Sequence, residues 1–493
     1  MTHTQTATDS VAVVSGRDTP GVRAMHQEAE AIASVEARRP ATYDLVIRRA
    51  HVFDGRQALT GLYDIAVDGT EIASVSAEPL GGRQEIDAAG AWVVPGLIDT
   101  HVHFYDVRAV SDSDSMQAFE EDELPGRLGL FLDHGVTTIK SVGDPTGGIL
   151  ATRAGIAEGT LRGPRLLATG CGITGRDGHP AATVFGDNPW ARERFTGEVG
   201  SVQEIRELVH HLADRKVDAI KLLSEGACAH SGEPTYLWQN PAFPDGVELA
   251  RLPLALLRAG VETGHERGLR VTVHTTQQAA AREAIEAGAD GLEHGVTVEP
   301  LTDRSLIDLM LEHGITYTPT LWIDDAHPDA RGNLRKVSRA GVHIALGSDT
   351  FSGRGLFGAN TLEEAELMVA AGMTPTQVLA AGTSGASRQC SRPDLGAVAE
   401  GKRADLLVLN SDPTTDIGNL RDLSMVILNG ELAVDRRRPG RTMSIRDRRA
   451  PARQGRLGAA ATELPNAADR SSISSSGAEY SQGVGRRSRR SAP

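Results

Sequence analysis

The sequence predicts an α/β fold: a (β/α)8 TIM barrel with a small composite β-sandwich built from both chain ends. Three observations predict it. Strand-like and helix-like segments alternate through the middle of the chain, where eight strand candidates can be counted. Two short β regions lie far apart, one towards each end, and neither could be stable alone. No G-x-G-x-x-G run opens the first strand-to-helix turn, which counts against a doubly wound, dinucleotide-binding sheet. At 493 residues the chain also exceeds the usual size of a single hydrophobic core.

In chain order, residues 1–42 are rich in Thr, Ala and Ser with little hydrophobic periodicity, and read as a mobile N-terminal segment. Residues 43–93 are the first part of the sandwich, where YDLVIRRAHVFDG and DIAVDGTEIASVSA alternate apolar and polar positions around Asp68-Gly69. Residues 94–394 hold the barrel. Its strands are expected at VVPGLIDTHV, VTTIKSV, PRLLATG, VDAIKLL, LRVTVH, GLEHG, ITYTPTL and VHIALGSD. Helices such as SVQEIRELVHHLADR, AAAREAIEAG and NTLEEAELMVAAG lie between several of them. Residues 395–440 complete the sandwich with ADLLVLNSDP and MVILNGELAVD, the latter turning at Asn429-Gly430. Asp-Gly and Asn-Gly accept positive φ at both central positions, so both dipeptides predict type I′ hairpins. Residues 441–493 carry 11 arginines against Asp447, Glu463, Asp469 and Glu479, with few large apolar side chains. Such a composition buries too little surface to offset ordering entropy, so a disordered Arg/Ser-rich tail is expected.

Composition narrows the function. Hydrophobic residues make up 40% and charged residues 24%, the balance of a soluble globular protein. No apolar run approaches the roughly 18 residues of a membrane span, so no membrane partner is expected. The opening MTHTQTATDSVAVVSG lacks the basic start of a secretory signal. Cys171, Cys228 and Cys390 form no C-x-x-C pair, and a cytoplasmic location is expected. The net charge is −14, and the acidity lies outside the basic tail. An acidic body is a poor footprint for nucleic acid, which leaves a small-molecule substrate as the expected partner. Both a monomer and a homo-oligomer stay open.

Candidate chemistry gathers at the strand ends. His101 and His103 close the first barrel strand, and alternation points residues two apart to one face. Two imidazoles on one wall can bind one divalent metal. Lys221 stands at the end of VDAIKLL, His274 ends LRVTVH, His294 ends GLEHG, and Asp349 follows VHIALGS. Catalytic groups of barrel enzymes sit at this C-terminal face. Each histidine alone is more often a satisfied core or rim residue; the joint pattern is what argues for a site. Lys221 lies in an apolar run, where an ammonium is expensive. Snorkelling to the surface is one way out. Burial is the other: it lowers the pKa and exposes an amine able to add carbon dioxide, and the carbamate's two oxygens can bridge two cations.

PGLIDTHVHF, IKLLSEG, VTVHT, LEHG and LGSDT, in this order and spacing, resemble the amidohydrolase superfamily. EAELMVAAGMTPTQVLAAGTSGASR, running into DLGAVAEGKRADLLVLNSDP, is similar to its closing part. The resemblance covers about residues 43–440 and is strongest to the imidazolonepropionase-like and Xaa-Pro-dipeptidase-like branches. It implies an enzyme, a hydrolase acting on carbon–nitrogen bonds, with two divalent metal ions of the Zn2+ class. By that resemblance His101 and His103 hold the more buried ion with Asp349, His274 and His294 hold the second, and Lys221 bridges them as a carbamate. Asp349 would be the proton-transfer group for a metal-bound hydroxide that cleaves an amide or peptide-like bond.

Substrate contacts are expected at His179, in the loop GITGRDGHP, and at Tyr105 and Tyr236. Arg176-Asp177 beside His179 departs from the family's more glycine-rich loop. Two alternatives remain. One is a mononuclear cyclic-amide hydrolase or deaminase, imidazolonepropionase-like, with Glu225 as its acid; the other is a non-catalytic barrel used as a scaffold, which loss of ligand residues would mark.

Overall fold

The computed structural model describes residues 42–437 except 106–109, 187, 225–250, 325–327 and 352–356. Residues 1–41 of the expected mobile start, the Arg/Ser-rich tail, Glu225 and Tyr236 lie outside these residues, and Thr42 already belongs to the first strand.

Five strands come first: β1 (Thr42–Val52), β2 (Tyr63–Asp68), β3 (Glu71–Ser76), β4 (Gly81–Asp87) and β5 (Trp92–Pro95). The parallel strands follow: β6 (Leu97–Val102), β7 (Val136–Ser141), β8 (Arg165–Ala168), β9 (Gly172–Gly175) and β10 (Thr196–Val199). They continue with β11 (Ala219–Leu223), β12 (Arg270–His274), β13 (Gly291–Glu293), β14 (Thr316–Thr318) and β15 (His343–Ile344). The chain returns to the first group with β16 (Leu406–Leu409), β17 (Leu423–Leu428) and β18 (Glu431–Asp435).

The two chain ends meet in one mixed sheet of order β18-β17-β16-β5-β1-β2-β3, with β4 beside β1. Its long strand β1 serves two neighbourhoods. Residues 42–48 pair with β4, His51 and Val52 pair with β5, and the register breaks between Ile47 and Ala50 where Arg49 has φ 56°. Leu45, Ile47, Ile65 and Val67 from the front then pack with Leu406, Val408 and Ile427 from the back. Each such aliphatic side chain removed from water contributes about 1.5–3 kcal/mol.

Only one hairpin turns where expected. Leu428 pairs with Glu431, and Asn429 and Gly430 have φ 53° and 79°, as a type I′ turn requires. At the front, Asp68 pairs with Glu71, so the loop is Gly69-Thr70. Gly69 alone has positive φ, 55°, at the first central position, the type II′ arrangement. Asp68 is kept in the strand because its carboxylate accepts the Asp44 N–H at 3.0 Å.

All eight expected barrel strands are present, and β9 and β10 are additional. The arrangement is TIM-barrel-like, with parallel pairing in two sections, β6-β7-β8 and β10-β9-β11-β12-β13-β14-β15. An isolated parallel bridge joins Val102 to Thr350, just beyond β15. The hydrogen-bonded strands do not form one closed ring, and the mixed sheet is one continuous strand path, so neither a closed barrel nor a two-layer sandwich is read from the pairing alone.

Helices cover the parallel strands. In Val202–Asp214 the buried residues Ile205, Val209, Leu212 and Ala213 recur at helical spacing, and Ser201 caps the N-terminus through Glu204 N–H. The expected helices near residues 280 and 365 are Gln278–Glu286 and Ala359–Ala370. No helix among the described residues is long and apolar enough to cross a membrane.

Candidate metal centre

The parallel strands and the segments that follow them bring five histidines, one lysine and one aspartate together. Alternation along β6 puts His101 and His103 on one side, and both Nε2 atoms face Oδ1 of Asp349, at 3.4 and 3.2 Å. Oδ2 of Asp349 faces Nδ1 of His294 at 3.8 Å. The imidazoles form a chain: His101 to His294 with ring centres 4.9 Å apart, His294 to His274 at 4.5 Å, and His274 to His179 at 5.0 Å. One ligand atom from each of His101, His294 and Asp349 lies within 4.8 Å of the others.

Backbone conformation aims two of these side chains. His294 and Asp349 both have positive φ, 66° and 50°, sparsely populated for residues with a Cβ and typical of functional sites held by their surroundings. Gly347 lies so close to β6 that a Cβ there would stand 2.8 Å from the His101 Cβ. Below this segment the buried Asp99 accepts Ser348 Oγ and Thr361 Oγ1, both at 2.7 Å, and the Ser348 N–H at 3.0 Å. Burial still raises its carboxyl to about 6 against those hydrogen bonds.

Burial dominates the electrostatics. It lowers His101 to about 3, with the Lys221 charge adding to it, and lowers His179 to about 3, with His294 adding. His274 is pushed well below the usual range by burial and by the neighbouring imidazoles. All three are therefore neutral at pH 7, the form that binds metal. Burial alone would raise Asp349, but His101, His103 and His294 hold it well below the usual carboxylate range. Lys221 is only 2% exposed, and burial lowers it to about 8 despite Glu293 and Asp349.

The arrangement fits divalent cations. Two ligands at about 2.0–2.1 Å from a tetrahedral zinc sit about 3.3–3.4 Å apart, close to the spacing of both β6 imidazoles from Asp349. Within this cluster, two buried nitrogens, Lys221 Nζ and His274 Nε2, have no hydrogen-bond partner among the described residues. Buried polar atoms are rarely left so.

The profile described as "Amidohydrolase family" matches residues 92–433, well over half of the chain. The chain belongs to the amidohydrolase family. It is thus a hydrolase, of the class acting on carbon–nitrogen bonds. This amidohydrolase is 26% identical over 377 residues to an uncharacterised Mycobacterium tuberculosis protein, covering 72% of this chain and 89% of that one. It is 25% identical over 382 residues to an imidazolonepropionase of Anaeromyxobacter dehalogenans, covering 70% and 83%. Among solved structures, a Xaa-Pro dipeptidase with methionine in its active site matches at TM-score 0.64 and 26% identity, over 79% of this chain and 99% of that one.

Of the residues expected from sequence, His101 and His274 lie at the ends of β6 and β12, His103 and His294 follow β6 and β13 directly, Lys221 lies in the middle of β11, and Asp349 lies five residues beyond β15. His179 joins the far edge of the imidazole chain, its Nδ1 2.7 Å from Thr183 Oγ1. Tyr105 lies apart from the imidazole chain: its side chain is buried against Phe119 and Phe195, and its hydroxyl donates to Glu120 at 2.6 Å.

Sequence reasoning missed Glu293 and Lys140. Both are buried: Glu293 Oε2 lies 2.8 Å from His101 Nδ1, and Lys140 Nζ lies 3.5 Å from Glu293 Oε1. Strict alternation along GLEHG sends Glu293 and His294 to opposite faces. The positive φ of His294 ends that alternation, so both side chains serve the interior. The available signal was a carboxylate in a three-residue, fully buried strand.

Proposed function

We propose that this amidohydrolase cleaves an amide or peptide-like carbon–nitrogen bond at a centre of two divalent cations of the Zn2+ class. His101, His103 and Asp349 would hold one ion and His274 and His294 the other, with Lys221 as a bridging carbamate. The observation that carries this is Lys221: a buried Nζ, without a hydrogen-bond partner among the described residues, in a cluster of imidazoles and carboxylates that suit metal. Its amine, lowered to about 8, has a substantial neutral fraction near physiological pH. The nitrogen lone pair adds to the carbon of carbon dioxide and one proton leaves to solvent, which replaces a costly buried ammonium with an anion between cations.

Bound divalent ions would lower the pKa of water and polarise the scissile carbonyl. The chain's own contribution centres on Asp349. Its Oδ1 is engaged by His101 and His103, and Oδ2 is the freer oxygen to take the proton of the attacking water and pass it to the departing amine nitrogen. His179, beyond His274, would contact substrate. The similarity to an imidazolonepropionase and a Xaa-Pro dipeptidase supports cyclic amides and dipeptides as the compound classes to try first. The same proposal takes the two parallel sections as one eight-stranded barrel, supported by the Val102–Thr350 bridge. It takes the mixed sheet as a sandwich folded about β1, with boundaries near residues 94 and 394, supported by the shared apolar cluster.

A mononuclear centre is the second reading, favoured by one observation: His101, His294 and Asp349 by themselves form a compact three-ligand set. Metal analysis of the purified protein separates the two. About two ions per chain are expected, with hydrolysis lost on chelation and restored by zinc. One ion per chain in an active enzyme selects the mononuclear centre, and a metal-free active enzyme refutes both.

A further inference from the structure

We propose that Glu293 is the positioning residue of the metal centre: it accepts a hydrogen bond from the Nδ1–H of His101 and thereby turns an unprotonated Nε2 towards the cation. The inference rests on the metal-dependent reading above and deepens it.

Glu293 is fully buried at the end of β13 and its two oxygens are used differently. Oε1 is an anchor. It accepts Thr272 Oγ1 at 2.6 Å, Gln389 Nε2 at 3.3 Å and Lys140 Nζ at 3.5 Å. These partners come from β12, from the short helix Ala386–Gln389 and from β7, so the carboxylate is tied to three separate elements. Oε2 is directed at His101 Nδ1, 2.8 Å away. The buried Lys140 ammonium balances the carboxylate charge within the interior.

The consequence for His101 follows from proton counting. A neutral imidazole has one N–H, and His101 lies between two carboxylates, Glu293 at Nδ1 and Asp349 at Nε2. With the N–H at Nδ1 donated to Glu293, the Nε2 lone pair faces Oδ1 of Asp349 across 3.4 Å. Two lone pairs at that distance repel in the absence of a cation between them. Glu293 therefore favours the arrangement that a divalent ion stabilises. A carboxylate on the far nitrogen of a ligating histidine fixes the ring and raises its basicity, and loss of such a partner typically weakens metal binding by about 10–100-fold.

The test is zinc and cobalt affinity, measured by competition with a chromophoric chelator. Glu293→Gln should weaken the tighter site by about 10–100-fold and alter the visible spectrum of the cobalt protein. Thr272→Val removes an anchor from Oε1 and leaves the His101 contact, and should change affinity by less than about 3-fold, well below that range. Glu293→Asp keeps the charge but withdraws the oxygen from Nδ1. It serves if the Gln variant does not fold, and it too should lose affinity. Wild-type affinity in a folded Glu293→Gln or Glu293→Asp protein overturns the inference, as does an equal loss in Thr272→Val. A wild-type protein that binds neither cation overturns the metal-dependent reading first, an outcome distinct from a metal-binding wild type with an unaffected variant.

Discussion

At the scale of single residues, the site combines groups that folding alone would not assemble. Several neutral imidazoles packed in contact offer little stability, and a buried lysine without a hydrogen-bond partner among the described residues costs some. Asp349 stands at the junction, in contact with both β6 histidines and with His294. Asp349→Asn keeps the shape and one ligand oxygen but cannot accept the proton of an attacking water. The expected outcome is a kcat lower by at least about 10²-fold on the best substrate found, with at least one metal retained. A near-normal kcat would remove Asp349 from proton transfer.

At the scale of elements, the close approach of β6 to the segment after β15 sets the geometry. Gly347 permits it: an added Cβ would stand 2.5 Å from Thr318 Cγ2 and 2.8 Å from His101 Cβ. Gly347→Ala should therefore cost about 1–3 kcal/mol, typical of overpacking, and should weaken metal binding by moving His101. Unfolding by urea and a metal titration check the two effects, and an unchanged Gly347→Ala protein would show that this contact gives way easily. The legibility of these elements differed for physical reasons. The β6 pair was readable because period-two alternation holds through Val102. Glu293 was not, because a single positive φ at His294 breaks the period. Tyr105 looked like a rim residue from its place after β6. What sequence could not show is that its ring packs onto Phe119 and Phe195, side chains distant in the chain. Asp68-Gly69 misled by one position because Asp44, 25 residues from Gly69, fixes Asp68 in the strand by accepting the Gly69 N–H as well.

At the scale of the whole molecule, the buried histidines make stability depend on pH. His101 and His179 titrate near 3 in the folded chain and His274 lies well below its usual value, whereas each titrates near 6.5 when unfolded. The unfolded state thus binds more protons as pH falls from about 6.5 towards 3, and folded stability is present above that window and lost through it. Three such groups give a slope of up to about 4 kcal/mol per pH unit in metal-free protein, which Asp99, raised to about 6, offsets by up to about 1.4 because its folded form takes up a proton first. Its urea midpoint should fall between pH 6.5 and 5, and His274→Asn should reduce the slope by about a third to a half. A flat profile from pH 7 to 5 would contradict the burial of these imidazoles. The parallel strand order and the joining of both chain ends were legible, since hydrophobic pattern and the pairing of short β regions carry them. How the strands close was not, because it depends on contacts such as Val102 with Thr350 that lie nearly 250 residues apart.

The proposed mechanism turns on Lys221 bridging two cations as a carbamate. A crystal structure of the zinc-loaded protein grown with bicarbonate, with anomalous scattering collected at the zinc edge, tests this bridge. Two anomalous peaks are predicted, with density for a planar three-atom extension on Lys221 Nζ lying between them. An unmodified amine on Lys221, together with a single peak in an enzyme shown to be active, would contradict it.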